Sequence, residues 1–171
     1  MVLDAMREIE SLTCIRFVER KSETDYVQVT SGQGCFAHVG RRGGQQTVSL
    51  GRGCEAKGIV LHELMHVIGF YHLHQRHDRD NFLDIHWKNI DPRFLTNFQL
   101  LSKHDKRVDA VFDYNSIMLY GSTAFGMHGK METMTPRYSG FHIQNPALKS
   151  GLTTVDAYSV NRLYRCNIVA H

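Results

Sequence analysis

The stretch "LHELMHVIGFYHLHQRHDRD", residues 61–80, decides how the chain is read. His62 and His66 stand four apart. On a helix that spacing puts both imidazoles on one face, one turn apart, within reach of one metal ion. Zinc takes histidine nitrogens at roughly 2.0–2.1 Å, which this arrangement permits. Glu63, one residue on, is rotated by about 100° around the helix. That keeps it out of the ligand set and leaves it beside the metal's open position. There it can take a proton from zinc-bound water, whose pKa the ion lowers to about 7.

H-E-x-x-H alone is short enough to arise by chance. Here it continues through Gly69 to His72. The glycine lets the helix end sharply, with positive φ, and the chain can fold back to deliver His72 as a third ligand. H-E-x-x-H-x-x-G-x-x-H is the specific signature of the metzincins. That signature requires a methionine turn downstream, and "SIMLYG" at 116–121 supplies one, with Met118 as an apolar floor beneath the imidazoles. Alone, Met118 reads as plain core. His74 and His77 have no place in this metal logic and read as surface or turn residues. His38, His86, His104, His128, His142 and His171 carry no spacing signal and read as structural or exposed.

Outward from this stretch, a helix is predicted from about 56 to 69, after a turn at "GRGC" and with Gly69 as its stop. Val2, Met6, Ile9 and Leu12 fall at helical spacing and predict a helix over 1–13. "CIRFVER", "DYVQVTS" and "QTVSLG" alternate and carry β-branched residues, so they read as strands. "DIHWKNIDPRFLTNFQLL" reads as a short strand or turn and then a helical segment. "DYNSIMLYGSTAF" reads as a compact turn region and 122–150 as irregular. "TTVDAYSVNRLYRC" has a Thr cap and an early Asp, and predicts a C-terminal helix ending near Cys166.

The chain has 171 residues, 42% hydrophobic and 22% charged, which suits one globular domain or two small lobes. The net charge of +3 comes from scattered basic residues, with no aromatic interleaving that would mark a nucleic-acid surface. No apolar run reaches the 18 residues needed to span a membrane. Four widely spaced cysteines, Cys14, Cys35, Cys54 and Cys166, form no C-x-x-C pair and point to two disulfides in an oxidising compartment. Three connectivities are open on spacing alone. Residues 1–17 lack the pattern of a signal peptide, and the chain starts inside an amphipathic helix, as a mature fragment or an incomplete gene model would.

These residues closely resemble one metzincin family, the astacins, whose extended signature is H-E-x-x-H-x-x-G-F-x-H-E-x-x-R-x-D-R-D. The chain matches it further at Phe70, Arg76, Asp78, Arg79 and Asp80. "TCIRFVER", "SGQGCFAHVGRRGGQQTVSL", "DYNSIMLYG" and "NRLYRC" also look astacin-like. The resemblance implies an α+β fold of the metzincin (zincin) type. Its upper lobe would hold a twisted mixed sheet and the zinc helix, and its irregular lower lobe a C-terminal helix. It implies a peptidase domain over 1–166, lacking its first N-terminal strand, with a short tail at 167–171. One Zn2+ per chain would sit on His62, His66 and His72. Tyr120, otherwise a core aromatic, would be a weak additional ligand that swings away and stabilises the oxyanion. The implied disulfides are Cys14–Cys166 and Cys35–Cys54. A peptide would lie extended in the cleft, paired with an edge strand within 43–50.

Two positions depart from the family. Leu73 replaces a glutamate linked, in mature astacins, through water to the new N-terminal amine. Leu119 replaces a histidine between Met118 and Tyr120, which implies tuning rather than loss. The reading is a secreted, monomeric zinc endopeptidase: Glu63 assists attack of zinc-bound water on internal peptide bonds of proteins. The rival is a catalytically impaired zinc-binding paralogue that serves as a protein-binding module. A serine or cysteine hydrolase has no supporting nucleophile motif.

Overall fold

The computed structural model describes residues 1–105 and 110–166; the tail at 167–171, with His171, lies outside them. Helix α1 (Val2–Leu12) turns one face inward, where Ala5 and Ile9 are fully buried and Val2 and Met6 pack partly beside them. Leu12, at the last turn, is exposed. Thr13 takes the inward place, its hydroxyl donating to the Ile9 carbonyl.

The expected strand over 14–20 is not formed. The Arg16 guanidinium donates to the carbonyls of Glu10, Thr13 and Ile15, and the Glu10 carboxylate accepts from the Phe17 N–H. These bonds tie the segment back onto the end of α1. Val18 is exposed, and no described strand pairs with the segment.

Strands β1 (Tyr26–Thr30), β2 (Cys35–Ala37) and β3 (Gln45–Leu50) form a mixed sheet in the order β1-β3-β2. β3 runs parallel to β1 and antiparallel to β2. Residues 45–50 are therefore the middle of the sheet rather than its edge. Val48 and Ser49 are buried there, and both sides of the strand are spent on neighbours. The edges are β1 and β2, and β2 is the one that packs on the next helix, α2 (Lys57–Ile68).

Nine of the twelve residues of α2 are buried, His62, Glu63 and His66 among them, so the helix runs through the interior and not over it. Gly58 makes this possible at its first turn. A Cβ there would lie 2.0 Å from the Pro146 carbonyl oxygen and 2.9 Å from that of Lys149. Gly69 ends the helix at φ 125°, with its N–H shared between the Met65 and His66 carbonyls.

Beyond α2 the chain runs through short 3-10 turns, among them Leu73–Gln75, Arg79–Asn81 and Pro92–Phe98. Strands β4 (Leu83–Ile85) and β5 (Met134–Pro136) pair antiparallel. β5 falls within the stretch whose composition reads as irregular, because three residues are too few to show a period. Helix α3 (Thr154–Leu163) begins with a capping box between Thr153 and Asp156.

Two apolar clusters result. The first joins α1 and α2 to Ile117, Met118 and Val160. The second gathers Leu83, Ile90, Phe98, Tyr114, Leu119, Met134 and Ile143. Leu73 packs against both. Disulfides join Cys14 to Cys166 and Cys35 to Cys54, clipping α1 to the end of α3 and β2 to the turn before α2.

Candidate active site

The helix and its glycine stop bring three imidazoles to one point. His72 Nε2 lies 3.0 Å from His66 Nε2 and 3.1 Å from His62 Nε2. Every Nδ1 faces an oxygen. His62 Nδ1 is 2.8 Å from the Ile117 carbonyl, His66 Nδ1 is 2.7 Å from the Phe70 carbonyl, and His72 Nδ1 is 3.2 Å from Gln75 Oε1. Those oxygens can only accept, so each Nδ1 carries the proton and donates it. The three Nε2 lone pairs are then aimed at one another, an arrangement that calls for a cation between them. Tetrahedral zinc with bonds of roughly 2.0–2.1 Å would hold its ligands about 3.3 Å apart, close to these two separations.

Burial keeps these rings neutral, as a ligand must be. His62 is pulled down to about 3, first by desolvation and then by His66. Desolvation likewise lowers His66 and, with His62 and His66 adding, takes His72 well below the ordinary histidine value.

Glu63 sits beside the triad, 5% exposed, and its Oε2 is buried with no hydrogen-bond partner among the described residues. Desolvation raises its carboxyl to about 7. The Tyr120 ring lies 4.2 Å from that of His72 and 5.4 Å from that of His62, centroid to centroid. Burial first, and the Glu63 charge second, push its phenol above the usual range, so it keeps its proton.

Met118 is buried in the core that α2 shares, but the turn around it acts on the site through its backbone. The Ile117 carbonyl holds His62, and the Met118 carbonyl accepts from the Leu73 N–H at 3.0 Å. Leu119 is buried in the second cluster.

His74 corrects the sequence reading. It is fully buried, not at the surface. Its Nε2 donates to the Asn97 carbonyl at 3.0 Å, and its ring stacks beside His72 and Tyr120. Arg79 explains the burial, since its guanidinium donates to the His74 and Phe98 carbonyls and draws the segment inward. No spacing rule marks such a residue. His77, His38, His104, His128 and His142 are exposed, and His86 bonds to Thr135 Oγ1.

Sequence reasoning also misses Lys149 and Asp156. The Lys149 ammonium is buried and donates to the Ser116 and Leu119 carbonyls at 2.6 and 2.7 Å. Desolvation lowers it to about 8, against the pull of the Asp156 carboxylate. Asp156 Oδ1 accepts from Ser116 Oγ at 2.5 Å, and Oδ2 from the Ile117 N–H at 2.9 Å. The capping pattern signals Asp156 only as a helix start.

Against known families, the model of the astacin peptidase family matches residues 1–165. The chain belongs to the astacin family. It is 44% identical over 169 residues to an astacin-like metalloprotease toxin of Loxosceles intermedia, covering 97% of this chain and 64% of that protein. It is 43% identical to zinc metalloproteinase nas-6 of Caenorhabditis elegans, over 90% of this chain and 44% of that protein. The chain thus spans less than two thirds of these relatives. Among solved structures, high choriolytic enzyme 1 of Oryzias latipes, a hatching enzyme zinc-protease, superposes with a TM-score of 0.88 at 38% identity, over 96% of this chain and 81% of that one. The astacin cofactor is zinc, and His62, His66 and His72 are the ligand set this chain offers it. The layout is the α+β metzincin fold expected of an astacin.

Proposed function

We propose that the chain is the catalytic domain of an extracellular zinc endopeptidase, with His62, His66 and His72 as ligands, Glu63 as general base and Tyr120 as oxyanion donor. The observation that carries this reading is the convergence of three Nε2 lone pairs beside a buried carboxylate whose Oε2 has no described partner. Zinc, when bound, supplies a Lewis acid and acidifies water. The rest falls to the chain. Glu63, whose raised carboxyl suits proton exchange near neutral pH, takes the proton of the attacking water and passes it to the leaving amine. Tyr120 keeps its proton and can donate a hydrogen bond to the oxygen that gains charge.

The substrate would lie extended along β2, the sheet edge that packs on α2, rather than along 43–50. The two disulfides support an extracellular place of action.

Glu63→Gln keeps the shape of the side chain and removes the base. It should still bind zinc one to one while casein cleavage falls roughly 10²–10⁴-fold. Cleavage at the parent rate by zinc-loaded Glu63→Gln would refute the assignment.

A further inference from the structure

The turn 116–119 is held at both ends by charged groups that take no part in the chemistry above. Its polar backbone is fully engaged. The Lys149 Nζ donates to the Ser116 and Leu119 carbonyls, closing the turn across its mouth. Asp156 accepts from Ser116 Oγ and the Ile117 N–H, and Ser116 Oγ in turn accepts from the Met118 N–H at 3.1 Å. What the turn presents to the metal centre is the Ile117 carbonyl, 2.8 Å from His62 Nδ1.

Lys149 is itself placed with little freedom. It follows the 3-10 turn Pro146–Leu148, its N–H bonds to the Pro146 carbonyl, and its own carbonyl lies against the first turn of α2 at Gly58. The ammonium is thus fixed to the base of the helix that carries His62. Two carbonyls that converge in the interior repel one another unless a donor stands between them. A lysine, with three N–H bonds and a long apolar stem, fills that need.

We propose that Lys149 is a positioning residue for the metal centre: by clamping the carbonyls of Ser116 and Leu119, it fixes the turn whose Ile117 carbonyl orients the ring of His62. Asp156 is its counterpart from α3, holding the same turn by its N–H side. A histidine ligand's far nitrogen needs a fixed acceptor, and loss of such support commonly weakens metal binding 10–100-fold. Here the acceptor is backbone, so its position depends on whatever holds the turn. The inference rests on His62 being a zinc ligand, and not on peptide hydrolysis.

The test uses the whole chain. Lys149→Met keeps the stem and removes the donors, and Lys149→Arg retains them. Zinc affinity is measured by competition with a chromophoric chelator, with the visible spectrum of the cobalt-loaded protein alongside. Lys149→Met should bind zinc 10–100-fold more weakly and show an altered cobalt band, while Lys149→Arg stays within about threefold of the parent. Should Lys149→Met fail to fold, Lys149→Gln, with its amide donor, takes its place, with about a tenfold loss expected. A folded variant of lower stability with unchanged zinc affinity and cobalt spectrum overturns the proposal and leaves Lys149 a purely structural residue. A parent chain that binds no zinc overturns the reading of the triad instead.

Discussion

Replacing Leu73 by glutamate would restore the residue found in the astacin signature, yet it should destabilise this chain. Leu73 packs against both apolar clusters. Full burial of a leucine is worth roughly 1.5–3 kcal/mol, so a half-buried one contributes about 1 kcal/mol. The new carboxylate would enter the lining of a cavity of about 20 Å³ that already holds Asp156 and Arg76. Arg76 spends its guanidinium on both oxygens of Asp78 and on the Ala110 carbonyl. Asp156 is a like charge. A buried acceptor without a donor costs about 1–3 kcal/mol. Leu73→Glu should therefore lose about 2–4 kcal/mol, read from urea unfolding of the zinc-loaded protein at pH 7.5. The sign of its pH dependence follows. Burial raises the pKa of the introduced carboxyl above its unfolded value, so the penalty is full above the folded pKa and shrinks as pH falls toward the unfolded one, near about 4.3. Unfolding at pH 5 should show a smaller gap than at 7.5. Zinc affinity should change little, since the Leu73 N–H to the Met118 carbonyl is a backbone bond. A variant as stable as the parent at pH 7.5, or a gap that widens in acid, refutes the reasoning.

The two disulfides close loops of very different length, with sequence separations of 152 and 19. In the chain-entropy model, removing Cys14–Cys166 by double alanine substitution should cost about 5 kcal/mol and removing Cys35–Cys54 about 3 kcal/mol. Denaturant titration checks the order, and the reverse order contradicts the model for this chain. Gly58→Ala would gain up to about 1 kcal/mol in an exposed helix. Here its Cβ meets two backbone carbonyl oxygens, so it should instead lose about 3 kcal/mol or more. A rise in melting temperature would show that the helix and the 146–149 segment are not packed as described.

The zinc ligands are legible because one helix turn and one glycine carry them: the spacing of His62, His66, Gly69 and His72 is itself geometry. α1 and α3 are legible for the same reason, each declaring itself through local period or cap. What stays hidden is what side-chain bonds and strand pairings decide, since no local period declares them. "CIRFVER" alternates like a strand, but Arg16 and Glu10 bind its backbone to α1 instead. β3 declares itself in "QTVSLG", but β2 lies inside the Gly-rich stretch 31–45 that reads as turning, so only the pairing makes it a strand and an edge. His74 looks like surface until Arg79 and Asn97 are brought to it. Lys149 and Asp156, charged residues in ordinary-looking segments, become interior only because the turn at 116–119 needs donors and acceptors there.

The same distinction bears on why the metal centre needs a whole fold. The three acceptors that set the histidine tautomers come from the helix stop at Phe70, the 3-10 turn at Gln75 and the turn at Ile117. In the unfolded chain Ile117 lies far from His62 along the sequence, and Phe70 and Gln75, though only four and three residues from His66 and His72, are not held in place, so nothing fixes the proton on Nδ1 or turns Nε2 inward. Folding therefore does the ordering, and it does so at a cost: in a desolvated pocket the His72 Nε2 lone pair stands 3.0 and 3.1 Å from the other two, and they repel one another. Zinc relieves that repulsion and binds only where folding has assembled it, so its binding free energy adds to stability by mass action. The signature written in 61–80 supplies the ligands. The orientation of one of them, His62, depends on residues as distant as Lys149 and Asp156, which hold the turn that carries its acceptor, so how well this chain holds its metal is not set by the histidines alone.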